Sequence, residues 1–302
     1  MRKLHFVLLV TAIVFLAQVL FFYRGIYIPS QVKEPDFLGI NVNSSVPLEI
    51  NDSFTKGSGT VLIDMSHGNK FDPDDMNFLL SRIMARGYHI EYLKDGSDLD
   101  KNLSDVTSFV VISPAASFSE EYVKSVKDFI NRDGRLLMLS EPINKSSINS
   151  LASEFGILFW NDYLYNLKEN DGNFKYIYLT EFTEKNITKG LHRIVFYTPG
   201  SVFGNGIIFT DNETYSSSSG VKGRYPVAVE AMDSRIIAIG DVTFLSEPYN
   251  VMDNNRLIYN IADFLAPPGT VKPSGNISIA PDVGNATNLS NAGSGKNVTL
   301  GI

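Results

Sequence analysis

The sequence predicts an α/β protein: a doubly wound, mostly parallel sheet that carries a β-rich insertion and is preceded by one transmembrane helix. Three observations support this. Short apolar segments such as TVLID (60–64), SFVVI (108–112) and RLLML (135–139) alternate with amphipathic stretches, the pattern of strands covered on both faces by helices. The amphipathic stretches carry helix start and stop signals at their ends. Residues 4–23, LHFVLLVTAIVFLAQVLFFY, hold no formal charge with His5 neutral, and as a helix they span roughly 30 Å, the thickness of a bilayer's hydrocarbon core.

The leader comes first. Arg2 and Lys3 precede it, which favours a cytoplasmic N-terminus and an exported body, although Arg24 beyond it weakens the bias. A cleaved signal peptide is the competing reading. Its apolar run is shorter and ends in small residues, whereas this one ends Val19-Leu20-Phe21-Phe22-Tyr23. An uncleaved anchor over 1–24 is expected, placing the chain in the cell membrane as a single-pass protein with its body outside. Residues 25–56, with Pro29, Pro35 and Pro47 and no helical period, read as a stalk.

The α/β domain is expected over 57–265. After the strand 60–64 and the loop Met65–Lys70, Asp72 is placed to cap a helix, Pro73 suits its first turn, and Asp74 and Asp75 complement its positive end. Met76, Leu79, Leu80, Ile83 and Met84 form its apolar face and Arg86-Gly87 ends it; His89–Leu93 is the next strand. SFVVI closes at Ser113-Pro114. The pattern Ser117-Phe-Ser-Glu120 then opens a helix with Tyr122, Val123, Val126, Phe129 and Ile130 on one side and Gly134 after its end. RLLML follows, then a short helix through Ile148, Leu151, Ala152 and Phe155 stopped by Gly156.

Residues 160–225 read as a β-rich insertion, with strands over Phe174–Phe182, Arg193–Tyr197 and Gly206–Phe209. Pro226–Met232 and Arg235–Gly240 suit a hairpin, and a last helix capped near Asp253 runs to Leu265 before Pro267-Pro268. Right-handed crossovers make the arrangement flavodoxin-like. Residues 266–302, rich in Pro, Gly, Ser and Asn, lack the apolar surface to offset their ordering entropy and read as a disordered tail.

Composition narrows the function. Of 302 residues 26 are Lys or Arg and 33 Asp or Glu, a net charge of −7, and an acidic body argues against nucleic acid. There is no cysteine, which excludes disulfides, thiolate metal sites and a thiol nucleophile. Ten Asn-x-Ser/Thr sequons, an excess for this composition, begin at Asn43, Asn51, Asn102, Asn144, Asn186, Asn212, Asn276, Asn285, Asn288 and Asn297; they fit an exported glycoprotein.

In a parallel sheet, ligands sit beyond the carboxyl ends of the strands. That points to Asp64, Ser66, His67 and Asn69, to Ser113-Pro114, to Ser140-Glu141-Pro142 and to Gly240-Asp241. Asp64, His67, Glu141 and Asp241 would form an acid/base or metal constellation if they met at one edge. Against this, acidic and small polar residues are what strand ends and helix caps ordinarily use. His89 and His192 fall on expected strands as satisfied imidazoles. Trp160, Tyr163, Tyr165, Phe174, Tyr176 and Tyr178 form either a binding face or the packing side of a small sheet.

The residues Asp64-Met-Ser-His67-Gly-Asn69, Ser113-Pro114, Ile239-Gly240-Asp241, Asp253-Asn254-Asn255-Arg256-Leu257 and Asn260 carry a resemblance. From about Thr60 to Leu265 the chain resembles an uncharacterised, largely archaeal membrane-protein family with a class I glutamine-amidotransferase-like fold. It is distantly similar to extracytoplasmic domains of gliding-motility-type ABC transporter auxiliary proteins and to the intraflagellar-transport domain of the same superfamily. Enzymes of that superfamily place a Cys after the third strand and a His/Glu pair near the end; here Ser113 and Asp241 stand there, so the resemblance implies a non-catalytic use of the fold and no cofactor.

If a ligand site survives, it is expected at His67, Asn69, Asp241, Asn254 and Arg256, with Arg256 holding a carboxylate or phosphate. The alternative is a clasp of Asp241, Asn255 and Arg256 between last strand and last helix. The expected function is a membrane-anchored extracytoplasmic binding or scaffolding module, auxiliary to an ABC-type transporter or an envelope assembly. The partners expected are the membrane, through 4–23, and a transporter. The alternatives are a hydrolase, metal-dependent or acid/base, using Asp64, His67, Glu141 and Asp241, and a structural envelope glycoprotein.

Overall fold

The computed structural model describes residues 2–23, 54–97, 99–142 and 146–268, and within the first of these the side chains of 3–19. The chain divides into two units, Met1–Val46 and Pro47–Ile302.

In the first unit, Arg2–Tyr23 form a helix, α1. The membrane anchor expected over 4–23 is corrected here: among the described residues no helix is long and apolar enough to cross a membrane. The single-pass placement with an outside body, and the membrane as a partner, fall with it. The stalk up to residue 53 and the tail from 269 lie outside the described residues.

The second unit is mixed α/β. Its strands are β1 (Gly59–Asp64), β2 (Tyr88–Leu93), β3 (Ser108–Ile112), β4 (Arg135–Leu139), β5 (Leu158–Phe159), β6 (Leu164–Tyr165) and β7 (Tyr176–Leu179). They continue with β8 (Glu181–Phe182), β9 (Ile194–Tyr197), β10 (Val202–Phe203), β11 (Asn205–Phe209), β12 (Tyr215–Ser216), β13 (Pro226–Ala231) and β14 (Ile236–Ile239). Eight of them make one sheet in the order β2-β1-β3-β4-β14-β13-β11-β8. From β2 to β14 neighbours are parallel; from β14 to β8 they are antiparallel. The pairs β5–β10, β6–β12 and β7–β9 form three small antiparallel ribbons.

The helices α2 (Asn77–Ala85), α3 (Leu99–Asn102), α4 (Glu120–Asn131), α5 (Asn149–Ala152) and α6 (Asn254–Leu265) lie in two layers. Successive strand residues point to opposite faces. Val61, Ile63, Val110, Ile112, Leu137 and Ile239 therefore pack with α2 and α6. Leu62, Phe109, Val111, Leu136, Met138 and Ala238 pack with α4 and α5. Two buried faces explain why these strands read as unbroken apolar runs.

Local signals mostly act where they stand. Asp72 accepts from the Asp74 N–H at 3.0 Å and caps a short 3-10 turn, Pro73–Met76, that runs into α2. For α4 the cap is Ser119, accepting from the Tyr122 N–H at 3.2 Å, rather than Ser117. Gly156 ends its helix with φ 70°, where a side chain would be strained. The expected strand 174–182 is broken into β7 and β8, which pair with different partners.

Candidate functional site

From β1 the chain moves outward to β2 and then back across β1 to β3, so the strand order reverses between β1 and β3. The crevice beyond the carboxyl ends of those two strands is where open α/β sheets hold ligands. Asp64, the last residue of β1, is fully buried there. It accepts from Ser66 Oγ at 2.7 Å, from the Ser66 N–H at 3.1 Å and from Tyr122 Oη at 3.3 Å. Its Oδ2 lies 3.0 Å from His67 Nδ1. Asn69 ties the loop to the next strand, donating to the Ile112 carbonyl at 2.8 Å.

Burial would raise the Asp64 pKa, but hydrogen bonds from His67 and Ser66 and the charge of His67 more than offset it, and the carboxyl sits below its ordinary range. Tyr122 moves the other way: burial, then the Asp64 charge, raise its phenol. The His67 ring lies between Phe118, at 4.1 Å between centroids, and the edge of Tyr122, at 4.7 Å. With Nδ1 committed to Asp64, the ring nitrogen of His67 left for a further contact is Nε2. Beside this cluster is a cleft of about 400 Å³ lined by Gly96, Ser97, Lys101, Ser119, Glu121 and Tyr122. A Cβ at Gly96 would come within 3.1 Å of the Tyr122 ring and 3.2 Å of Ser66 Oγ, so glycine is what lets that loop close down.

Ser113 follows β3 with φ 40° and no exposure. Its backbone is held by a donation to the Leu139 carbonyl and an acceptance from Lys70 N–H. Its hydroxyl is buried with no hydrogen-bond partner among the described residues. A non-glycine residue in that conformation costs on the order of 1–3 kcal/mol, and an unpaired buried hydroxyl adds to this.

The other carboxyl-end residues form a separate group. Asp241, fully buried, accepts from the Tyr197 N–H at 2.5 Å and the Thr243 N–H at 2.7 Å. Thr243 Oγ1 in turn donates to Glu141 at 2.6 Å. Burial and then the nearby Glu141 charge push the Asp241 carboxyl well above its ordinary range, against the pull of the backbone N–H groups of Tyr197, Thr243 and Phe244. Among the described residues no hydrogen bond or ion pair joins Asp241 and Glu141 to Asp64 and His67. Nor do three His, Asp or Glu side chains come together as a metal-ligand set.

The expected ligand residues are thus divided. His67 and Asn69 stand at the switch point, and Asp241 serves the β9 backbone. Asn254 exchanges hydrogen bonds with the Val195 N–H and carbonyl, at 3.1 and 2.7 Å. Arg256 lies over the Tyr259 ring at 5.3 Å. Around the start of α6, Asp253 accepts from the His192 and Arg193 N–H groups before β9, and Asn255 accepts from Arg82 of α2 at 2.9 Å. Of the sequon asparagines, Asn102, Asn186 and Asn212 are exposed; Asn43, Asn51, Asn144, Asn276, Asn285, Asn288 and Asn297 lie outside the described residues. Sequence reasoning missed Tyr122, whose helical spacing marked it only as core, and Phe118, which was read only as part of a helix-start pattern. The signal was the chance of a tyrosine hydroxyl buried beside an acid.

Comparison with known proteins bears on the family. The profile of the IFT52 GIFT domain matches residues 60–193. Among solved structures, the mmIFT52 N-terminal domain superposes with a TM-score of 0.57 at 15% identity, covering 68% of this chain and 97% of that one. A putative ThuA-like protein from Bacteroides uniformis follows at 0.48 and 10% identity, covering 72% and 95%. No curated protein matches the chain in sequence. These findings overturn the archaeal membrane family and the ABC-transporter auxiliary proteins as relatives, and with them the transporter partner and the transporter-auxiliary function. Of the resemblances read from the sequence, it is the intraflagellar-transport domain that the profile matches, and the solved structure shares its fold with this chain.

Proposed function

We propose that the chain is a protein-assembly module of the intraflagellar-transport type, built on a flavodoxin-like, doubly wound sheet, and that its partners are other subunits of such a complex. The observation that carries this reading is the burial of the two positions where an enzyme of this fold would need access. Ser113, at the turn where amidotransferase-like enzymes keep a nucleophile, is fully buried, and Asp241 is fully buried under β9. Similarity to the IFT52 GIFT domain over 60–193 and the fold shared with the mmIFT52 N-terminal domain supply the assembly context. We read 57–265 as one body with 160–225 inserted in it.

The insertion also presents apolar surface. Trp160, Leu167, Phe174, Phe203 and Val221 are exposed, at 53, 65, 44, 70 and 58%. Phe203 pairs with Leu158, and the Trp160 N–H donates to the Ser201 carbonyl, so Trp160 and Phe203 share one face of the β5–β10 ribbon. Exposed aromatics in one patch are the usual mark of a protein interface. The test is cross-linking mass spectrometry on the full-length protein in its native cells, with wild type and the Trp160→Ser/Phe203→Ser pair. Cross-links from Lys168, Lys175 and Lys222 to subunits with intraflagellar-transport-type domains, lost in the folded double variant, are the expected result. A chain that purifies alone, or cross-links unchanged by the variant, would overturn the reading.

A further inference from the structure

We infer a second binding site, on the rim opposite the switch point, that takes a neutral polyhydroxylated ring such as a sugar unit. A cavity of about 680 Å³ opens at the amino end of β14, within the range of about 300–1,000 Å³ that houses small ligands. Three chain segments wall it: 155–157 after α5, 204–205 at the start of β11, and 230–234 from the end of β13 into the β13–β14 turn, with Lys185 from the insertion. It shares no lining residue with the switch-point cleft.

The floor is a built polar group. Glu230 is 5% exposed and its carboxylate is held by Lys185 Nζ at 2.5 Å, Asn205 Nδ2 at 3.2 Å and Ser234 Oγ at 2.6 Å. An ionised carboxylate offers about four acceptor sites, and an ammonium three donors. After these contacts there remain an acceptor position on Glu230, two N–H groups on Lys185, an N–H and the Oδ1 of Asn205, and the lone pairs of Ser234.

The charges select against ions. A carboxylate or phosphate entering the cavity meets Glu230 and, at its rim, Asp233; an ammonium meets Lys185. An anion therefore faces two like charges and one opposite, while an ammonium finds Glu230 already paired with Lys185 and gains only Asp233 at the exposed rim, which water screens. A hydroxyl both donates and accepts, so adjacent hydroxyls match this interleaved set of free donors and acceptors. Phe155, Ile157 and Met232 supply an apolar wall for the C–H face of a ring. Met232 is 40% exposed, ready to be covered by a ligand. The site is independent of the assembly reading.

The test is saturation-transfer NMR and calorimetry on the full chain with D-glucose, D-galactose, D-mannose and maltose, and with acetate, inorganic phosphate and methylammonium as charged probes. At least one sugar should bind with a Kd of about 1 mM or tighter. Asn205→Ala, which also gives up a hydrogen bond to the buried Glu230, and Met232→Ala should each weaken it about fivefold or more in variants whose NMR spectra show them folded. His67→Ala, at the opposite rim, should leave it unchanged. No sugar binding at up to about 50 mM, binding of a charged probe instead, or sugar binding indifferent to Asn205→Ala and Met232→Ala would each overturn the inference.

Discussion

Asp64 and Asp241 stand at matching places, one ending β1 and the other two residues past β14, on the same rim of one sheet, and both are fully buried. Their ionisation goes opposite ways. Asp64 faces side-chain donors and a histidine, and its carboxyl is held below the ordinary range. Asp241 has backbone N–H donors too, but it also has Glu141 nearby and no cation among its named contacts, and its carboxyl is pushed well up. Burial is the first cause of the rise at Asp241, and at Asp64 it is overcome. What differs is the charge that each carboxylate meets once it is dry.

The largest effect expected from breaking this comparison is at Asp241. Asp241→Ala leaves the Tyr197 and Thr243 N–H groups without acceptors in a dry interior. It should cost about 3 kcal/mol or more in urea unfolding at neutral pH. Next is Asp64→Asn, which keeps the shape but removes the charge that His67, Ser66 and Tyr122 surround; a loss of about 2 kcal/mol is expected at pH 7.

The pH dependence sharpens the contrast. A lowered folded pKa gives stability that is present above the unfolded value and lost as pH falls through the folded one, so wild type and Asp64→Asn should converge below about pH 4. A raised folded pKa gives stability that is full below the unfolded value and lost as pH rises through the folded one. Wild type should therefore lose stability relative to Asp241→Asn as pH climbs from about 4. Unfolding curves across that range, with each variant divided into wild type, read both slopes; parallel slopes for the two positions would end the comparison. The smallest effect is at Ser113. Ser113→Ala deletes an unpaired buried hydroxyl and should leave stability unchanged or raise it by up to about 1 kcal/mol, measured as a shift in melting temperature.

Much of the body was legible. The strands 60–64, 108–112 and 135–139 coincide with β1, β3 and β4 to within a residue, because strands dry on both faces leave nothing but apolar residues to read. The insertion was harder. In β7 to β12 the strands are two to five residues long, and their partners are set by distant loops, so alternation alone ran 174–182 together. At the site, the Asp64-Ser66-His67-Asn69 loop was visible as a polar run after a strand. Tyr122 was not, because from the sequence a tyrosine on a helix's apolar face is indistinguishable from any other core aromatic.

Asp253 shows where the boundary lies. The sequence places it as a helix cap, and it does precede α6, yet its carboxylate makes no cap hydrogen bond and instead accepts from His192 and Arg193, about sixty residues away. By itself the sequence determined what depends on near neighbours: the apolar strands, the helix faces, the turn glycines and the absence of any thiol. Tertiary structure alone decided which strand adjoins which, which acid meets a histidine and which meets another acid, and where the cavities open. Hydrophobic periodicity is a local property of the chain, whereas the partner of a buried polar group is fixed only when remote segments are packed together.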